Sequence, residues 1–154
     1  TANYVKGKEE GAYTILYENG QKQVVSQFKD GLAEGEWIYY YKNGKENKKV
    51  RFVKGQKEGK QEEFYENGGK KLESEFKNGK ETGQWTVYFE NGKVSTTFSY
   101  TDGLLNGPVT INDDKGVKIV EGNYRNGKED GKWIFYDENG KVKKTEEYEL
   151  GKKK

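Results

Sequence analysis

Gly7, Gly31, Gly55, Gly79, Gly103, Gly127 and Gly151 follow one another at intervals of 24 residues, without an insertion or deletion anywhere in the chain. Two further columns keep the same step: Gly11, Gly35, Gly59, Gly83, Gly107 and Gly131, then Gly20, Gly44, Gly68, Gly92, Gly116 and Gly140. Only Gly69 and Gly122 stand outside this register. A fixed period between about 20 and 50 residues is the mark of repeat architectures, in which each unit buries its apolar face against its neighbours. The chain is therefore read as one array over residues 1–154, with about six units and partial units at both ends.

Only 31% of the residues are hydrophobic and 35% are charged, which is poor material for a thick core and favours a single-layer sheet. Such a composition also raises disorder as an alternative. Against it stand 3 Trp, 12 Tyr and 7 Phe in register with the glycines, a net charge of +2 and one proline. The 28 basic and 26 acidic residues interleave, so no face carries the basic field that phosphate backbones require, and nucleic acid is excluded as the expected partner. No run of 18 apolar residues offers a transmembrane segment. The start at Thr1, in mid-repeat and without Met, suggests a trimmed or processed secreted chain, and a bacterial periplasmic, surface or secreted setting is favoured over a cytoplasmic one. The absence of Cys fits either.

Within the unit 31–54, the stretch Trp37-Ile38-Tyr39-Tyr40-Tyr41 is aromatic and β-branched and reads as a strand, and Asn43-Gly44 then reads as a hairpin turn. Glu18-Asn19-Gly20, Glu66-Asn67-Gly68, Glu90-Asn91-Gly92 and Glu138-Asn139-Gly140 repeat that turn. The return strand ends in a ring column: Phe28, Phe52, Phe76, Tyr100, Tyr124 and Tyr148. A glycine-flanked loop such as Gly79–Gly83 then feeds the next strand. Short connections throughout predict an elongated, all-β, single-layer antiparallel meander of tandem hairpins, about twelve or thirteen strands and roughly 60 Å long. A two-residue loop at Asn43-Gly44 pairs Tyr39 with Lys48, and a three-residue loop with a glycine bulge pairs it with Asn47; the sequence leaves both open.

The pattern Phe-x-x-Gly-x-x-x-Gly-x-Trp, followed by Tyr-Tyr and Glu-Asn-Gly, resembles the MORN repeat, in particular its short bacterial variant, over essentially the whole chain. Tyr100–Gly107 and Tyr124–Gly131 are good copies of its core. The resemblance implies a hairpin array that serves as an interaction scaffold, sometimes at membranes, with antitoxin-like members among bacterial relatives. A weaker similarity links Trp37–Gly44 to the aromatic hairpins of choline- and glucan-binding wall modules, whose repeats are shorter and lack the second glycine-bounded loop.

With no His and no Cys, the commonest general base, the soft metal ligands and the thiol nucleophile are missing, and no catalytic centre, metal site or cofactor site is expected. Adjacent acids such as Glu62-Glu63 point to opposite faces of a strand and make a poor dyad. Gly127–Lys132 lacks the spacing and the Ser or Thr of a phosphate loop, and Asn112–Gly116 lacks the ligand set of a calcium loop. The aromatic columns remain. Trp37, Tyr39, Tyr41, Trp85, Phe89, Trp133 and Phe135 are the candidate binding residues, joined by Gln61 and Glu63, which replace a ring and an aliphatic residue in the third unit. Pro108 and Val109 break the pattern in the fifth. The expected function is a non-enzymatic scaffold for a protein partner. A toxin bound by an antitoxin-like protein, a glycan bound by an aromatic module, and end-to-end association through sheet edges are the alternatives.

Overall fold

The structure, a computed structural model, describes residues 4–154, and every regular element in it is a strand. These fall into two compact units, Thr1–Lys80 and Glu81–Lys154. The first holds β1 (Tyr4–Val5), β2 (Lys8–Glu9), β3 (Gly11–Leu16), β4 (Lys22–Lys29), β5 (Leu32–Tyr40), β6 (Glu46–Val53), β7 (Gln56–Phe64) and β8 (Lys70–Lys77). β9 (Lys80–Tyr88) starts at the boundary. The second unit continues with β10 (Val94–Thr101), β11 (Leu104–Leu105), β12 (Gly107–Asn112), β13 (Lys118–Arg125), β14 (Lys128–Glu129), β15 (Gly131–Tyr136), β16 (Val142–Glu149) and β17 (Lys152–Lys153).

In the first unit β3 to β8 pair antiparallel in chain order, and β1 with β2 makes a separate ribbon. In the second, β9, β10, β12, β13, β15, β16 and β17 follow one another, with β11 on β10 and β14 on β13. Both are all-β meanders of tandem hairpins, as the period predicts. The strand count exceeds twelve or thirteen because the glycine-bounded stretches, expected to be loops, are themselves strand.

Two turn chemistries alternate. At the tip after β5, the Gly44 amide donates to the Tyr41 carbonyl (2.9 Å) and the Tyr41 amide to the Lys45 carbonyl (2.8 Å), a three-residue loop with only Gly44 at positive φ (84°). Asn43 accepts the Lys45 amide on its side-chain oxygen (2.9 Å) and donates to the Glu66 carbonyl of the next tip. At the other end, Asp30 (φ 53°) and Gly31 (φ 79°) are both left-handed between paired Lys29 and Leu32, which is a two-residue type I′ turn. Each such turn is tied to the one before it. Gly55 donates to Ala33 O (2.8 Å) and Gly79 to Lys57 O (2.9 Å). A carboxylate beneath adds a second bond: Glu34 accepts the Lys54 amide and Glu58 the Asn78 amide.

The register combines the two alternatives the sequence left open. The loop is the three-residue form, yet Tyr39 pairs with Lys48, because a bulge after the Tyr40–Glu46 pair inserts one residue. The same shift recurs between Ile15 and Leu16, Glu63 and Phe64, Ile111 and Asn112, and Phe135 and Tyr136. Without it, Asn47, Lys49 and Arg51 would take the face now held by Lys48, Val50 and Phe52, since a one-residue slip exchanges the faces. Val50 is 2% exposed, and Ser26 and Ser74 at the equivalent positions 3%, so the burial of this column is what the bulge secures.

The Gly-x-x-x-Gly element divides likewise. Gly31 belongs to the turn, whereas Gly35 lies inside β5 at φ 70° and pairs with Phe52. Gly59 and Phe76, and Gly83 and Tyr100, repeat that pairing, so the ring column stands opposite the bare glycine column. The deeply buried residues of each unit lie on a single face: Val24, Ser26, Val50, Gln61, Ser74 and Phe76 in the first, Val109 and Trp133 in the second. With no second layer among the described residues, rings shelter one another laterally. Trp37 packs on Phe28 at 5.1 Å and Phe52 at 5.2 Å, and Trp133 on Tyr124 at 5.2 Å.

Candidate interaction surface

Pairing registers place the candidate residues. In the first unit Trp37 pairs with Val50, which pairs with Gln61, and Tyr39 pairs with Lys48, which pairs with Glu63. Since alternate residues of a strand share a face, Trp37, Tyr39, Gln61 and Glu63 stand together on the buried-valine face. In the second unit the continuous row Val87–Thr96–Ile111–Val120–Phe135–Lys144 joins Phe135 to the face of Trp85 and Trp133. Phe89 is half-buried at the tip after β9.

Accessibility differs sharply among these residues. Gln61 is 3% exposed and Trp133 7%, whereas Trp37, Tyr39, Tyr41, Trp85, Phe89 and Phe135 are half-buried. Gln61 donates its side-chain amide to Glu63 (3.1 Å), and its carbonyl oxygen is buried without a partner. Lys48 stands 3.6 Å from Glu63, with both side chains a little over a quarter exposed, and its ammonium lies 6.0 Å from the Tyr39 ring centre. The first unit thus carries a partly open polar group of Gln61, Glu63 and Lys48, drawn from two adjacent repeats, beside the rings of Trp37 and Tyr39. Tyr41 donates its hydroxyl to the Phe64 carbonyl (2.7 Å), so it clamps adjacent hairpins. Burial raises its pKa first, and the negative charges of Glu66 and Glu63 raise it further.

In the second unit the indole of Trp133 lies on the backbone of Gly122: a Cβ there would meet Trp133 Cδ2 at 2.3 Å. That explains the glycine outside the register, since Ser26, Val50, Ser74 and Phe98 fill the equivalent positions. The Trp133 ring nitrogen is buried without a partner. Trp37 instead donates to the Gln27 carbonyl (3.1 Å), and Trp85 to the Thr82 carbonyl (3.3 Å). Lys144 sits 4.5 Å from the Phe135 ring centre. Glu146, across from Trp133, accepts from Lys144 (2.8 Å), Lys153 and Tyr148 (2.8 Å).

Those donors, Lys144 first, hold the Glu146 carboxyl down to about 2. Because the folded pKa is depressed, the stabilisation is present above the ordinary carboxylate pKa and is lost as pH falls through the folded value. Melting temperatures of the native chain and Glu146→Gln should therefore differ by a constant amount above about pH 5 and converge towards pH 2. A gap at pH 2 as large as that at pH 5 would show that the carboxylate charge contributes nothing.

Sequence reading missed Lys48 and the acid column Glu10, Glu34, Glu58 and Asp130, which accept backbone amides 20 residues ahead. The column was visible as a 24-residue recurrence of carboxylates; Lys48 was not, because its position depends on the bulge. Among the described residues no group of three His, Cys, Asp or Glu side chains is placed to hold a metal ion, and no helix is long and apolar enough to cross a membrane.

No curated protein matches the chain. The family model described as MORN repeat variant matches residues 9–30, 33–53, 57–78, 81–102 and 129–150. The interval it passes over contains Pro108 and Val109, yet β12 and β13 there keep the hairpin register of the others, bulge included. Five matched repeats spread over most of the sequence, on hairpins that share turns, bulge and ring–glycine pairing, show that the chain belongs to the MORN repeat variant family.

Proposed function

We propose that the chain is a non-enzymatic scaffold whose partner is a protein, docked on the first unit at Tyr39, Lys48 and Glu63, with Trp37, Tyr41 and Gln61 holding that patch in place. The partly exposed Lys48–Glu63 pair beside Tyr39 carries the reading. Polar groups flanked by half-buried rings suit a polypeptide, which supplies both amides and apolar side chains. A glycan module would need exposed, flat ring faces. Here Trp37 is inclined 68° and 58° to the rings beside it, and Trp133 is almost fully covered. The second unit offers a patch of its own in Trp85, Phe89 and Phe135, which are half-buried, with Trp133 as their support. A bacterial surface or envelope setting, and a toxin as the bound protein, belong to this proposal through the family resemblance.

Glu63→Val tests it, because valine is the residue of the equivalent position 87. The change should lower stability by about 1–3 kcal/mol, because it leaves the buried Gln61 side-chain amide without its acceptor, while the partly exposed ion pair itself contributes at most about 1 kcal/mol, and the chain should stay folded. Recovery of the partner in affinity capture from the source organism should drop by roughly five- to thirtyfold, the loss of about 1–2 kcal/mol expected for a contact residue. Undiminished capture would remove the docking assignment.

A further inference from the structure

Five hairpin tips carry the dipeptide Asn-Gly: Asn19, Asn43, Asn67, Asn91 and Asn139, each followed by glycine. In four the asparagine side chain is held. Its oxygen accepts the backbone amide two residues on, at 3.1 Å in Asn19, 2.9 Å in Asn43, 2.7 Å in Asn67 and 3.0 Å in Asn91. The fifth tip is built differently. Asp137 stands where Tyr17 and Tyr41 stand, and its carboxylate takes both the Asn139 amide (2.9 Å) and the Lys141 amide (2.9 Å). Lys141 N–H is the donor that Asn139 would otherwise bind. Among the described residues the Asn139 side chain has no hydrogen-bond partner, and it is exposed.

We infer that Asn139-Gly140 is a site of spontaneous succinimide formation, unlocked by Asp137. The Gly140 backbone nitrogen, after losing its proton, attacks Cγ of Asn139; the Cγ–Nδ2 bond breaks, and ammonia leaves with that proton. Water then opens the five-membered imide at one carbonyl to give aspartate, or at the other to give a β-linked isoaspartate. No oxidant or further reactant is needed. In the other four tips the side-chain oxygen must first give up its amide, and in Asn19, Asn43 and Asn91 the departing Nδ2 also donates to a carbonyl of the next tip, so attack requires at least one additional broken hydrogen bond. Each tip glycine amide is bound only within its own turn, as Gly140 is to the Asp137 carbonyl (3.0 Å). The type I′ asparagines differ in this respect: the attacking nitrogens of Gly79 and Gly127 are bonded into the preceding repeat at 2.9 and 2.7 Å. Conversion at Asn139 places a third negative charge beside Asp137 and Glu138. The isoaspartate also lengthens by one backbone atom a loop that has room for three residues.

The experiment is incubation of the folded chain at mildly alkaline pH, with peptide mass spectrometry of the 1-Da gain at each tip. Rates are normalised to those of the same tips in denaturant, where local sequence alone acts. The peptide containing Asn139 should convert roughly three- to tenfold faster than those of Asn19, Asn43, Asn67 and Asn91, the factor equivalent to one hydrogen bond. Asp137→Tyr should return the Lys141 amide to Asn139 and slow the reaction by a similar factor, and Tyr41→Asp should free the Asn43 oxygen and speed conversion there, its bond to the Glu66 carbonyl remaining. Either variant suffices if the other does not fold. Equal normalised rates at all five tips, or a folded variant that leaves its own tip unchanged, would overturn the assignment.

Discussion

Gly122→Val should unfold or severely weaken the second unit, although valine is the residue found at the equivalent position 50. The new Cβ would lie 2.3 Å from Trp133 Cδ2 and 2.5 Å from Cε2, far inside contact distance, and the atom it meets belongs to a rigid buried ring. Overpacking of this kind costs about 1–3 kcal/mol, and more where the neighbour cannot move. Trp133 has little freedom, being packed against Tyr124 at 5.2 Å and Tyr148 at 6.3 Å. The cause is separable by a double-mutant cycle: in a Trp133→Val background, Gly122→Val should cost far less, giving a coupling energy of about 1–3 kcal/mol in thermal or denaturant melts. Additive effects would show that the glycine serves its own backbone rather than the indole.

Gly79→Val should lower stability by about 1–3 kcal/mol while Gly69→Val changes it by a few tenths. Gly79 occupies the second position of a type I′ turn at φ 78°, a region that a β-branched residue enters only under strain. Space is not the cause, because a Cβ at Gly79 would meet Gln56 Cβ at an ordinary 3.8 Å. Gly69 follows the tip glycine Gly68, is not among the positive-φ residues, and stands where Gln21 and Lys45 stand in other units. Similar losses in the two variants, measured by chemical denaturation, would contradict a backbone origin.

Much of this fold could be read from the sequence because glycine reports backbone conformation directly. All three glycine columns adopt positive φ, and the period fixed the order of the hairpins. The bulge was illegible for the opposite reason. It falls on Gln23, Asn47, Lys71, Ser95, Ile119 and Lys143, a column with no shared chemistry, since a residue left unpaired at a bulge without positive φ can carry any side chain. Without the bulge, Lys48 could not be placed beside Glu63, and the polar patch was only half visible. The aromatic columns were legible as a face but not as degrees of burial. Trp37 and Trp133 occupy equivalent positions, yet one finds a carbonyl for its ring nitrogen and the other lies on a glycine.

The pairing of an odd-length tip loop with a compensating bulge also governs how such a gene can change length. Loss of the codon for Asn47 alone would leave a regular ladder in which Tyr39 still meets Lys48, whereas loss of the single codon for Lys49, inside β6, would turn Arg51 towards the side that Val50 now fills and carry Val50 and Phe52 away from it. Loss or duplication of a whole 24-codon block carries loop and bulge together and leaves every remaining strand facing as before. Recombination between repeats is therefore structurally silent where loss of one paired strand residue is not, so repeat number in this chain can evolve freely while the paired spacing inside a repeat cannot.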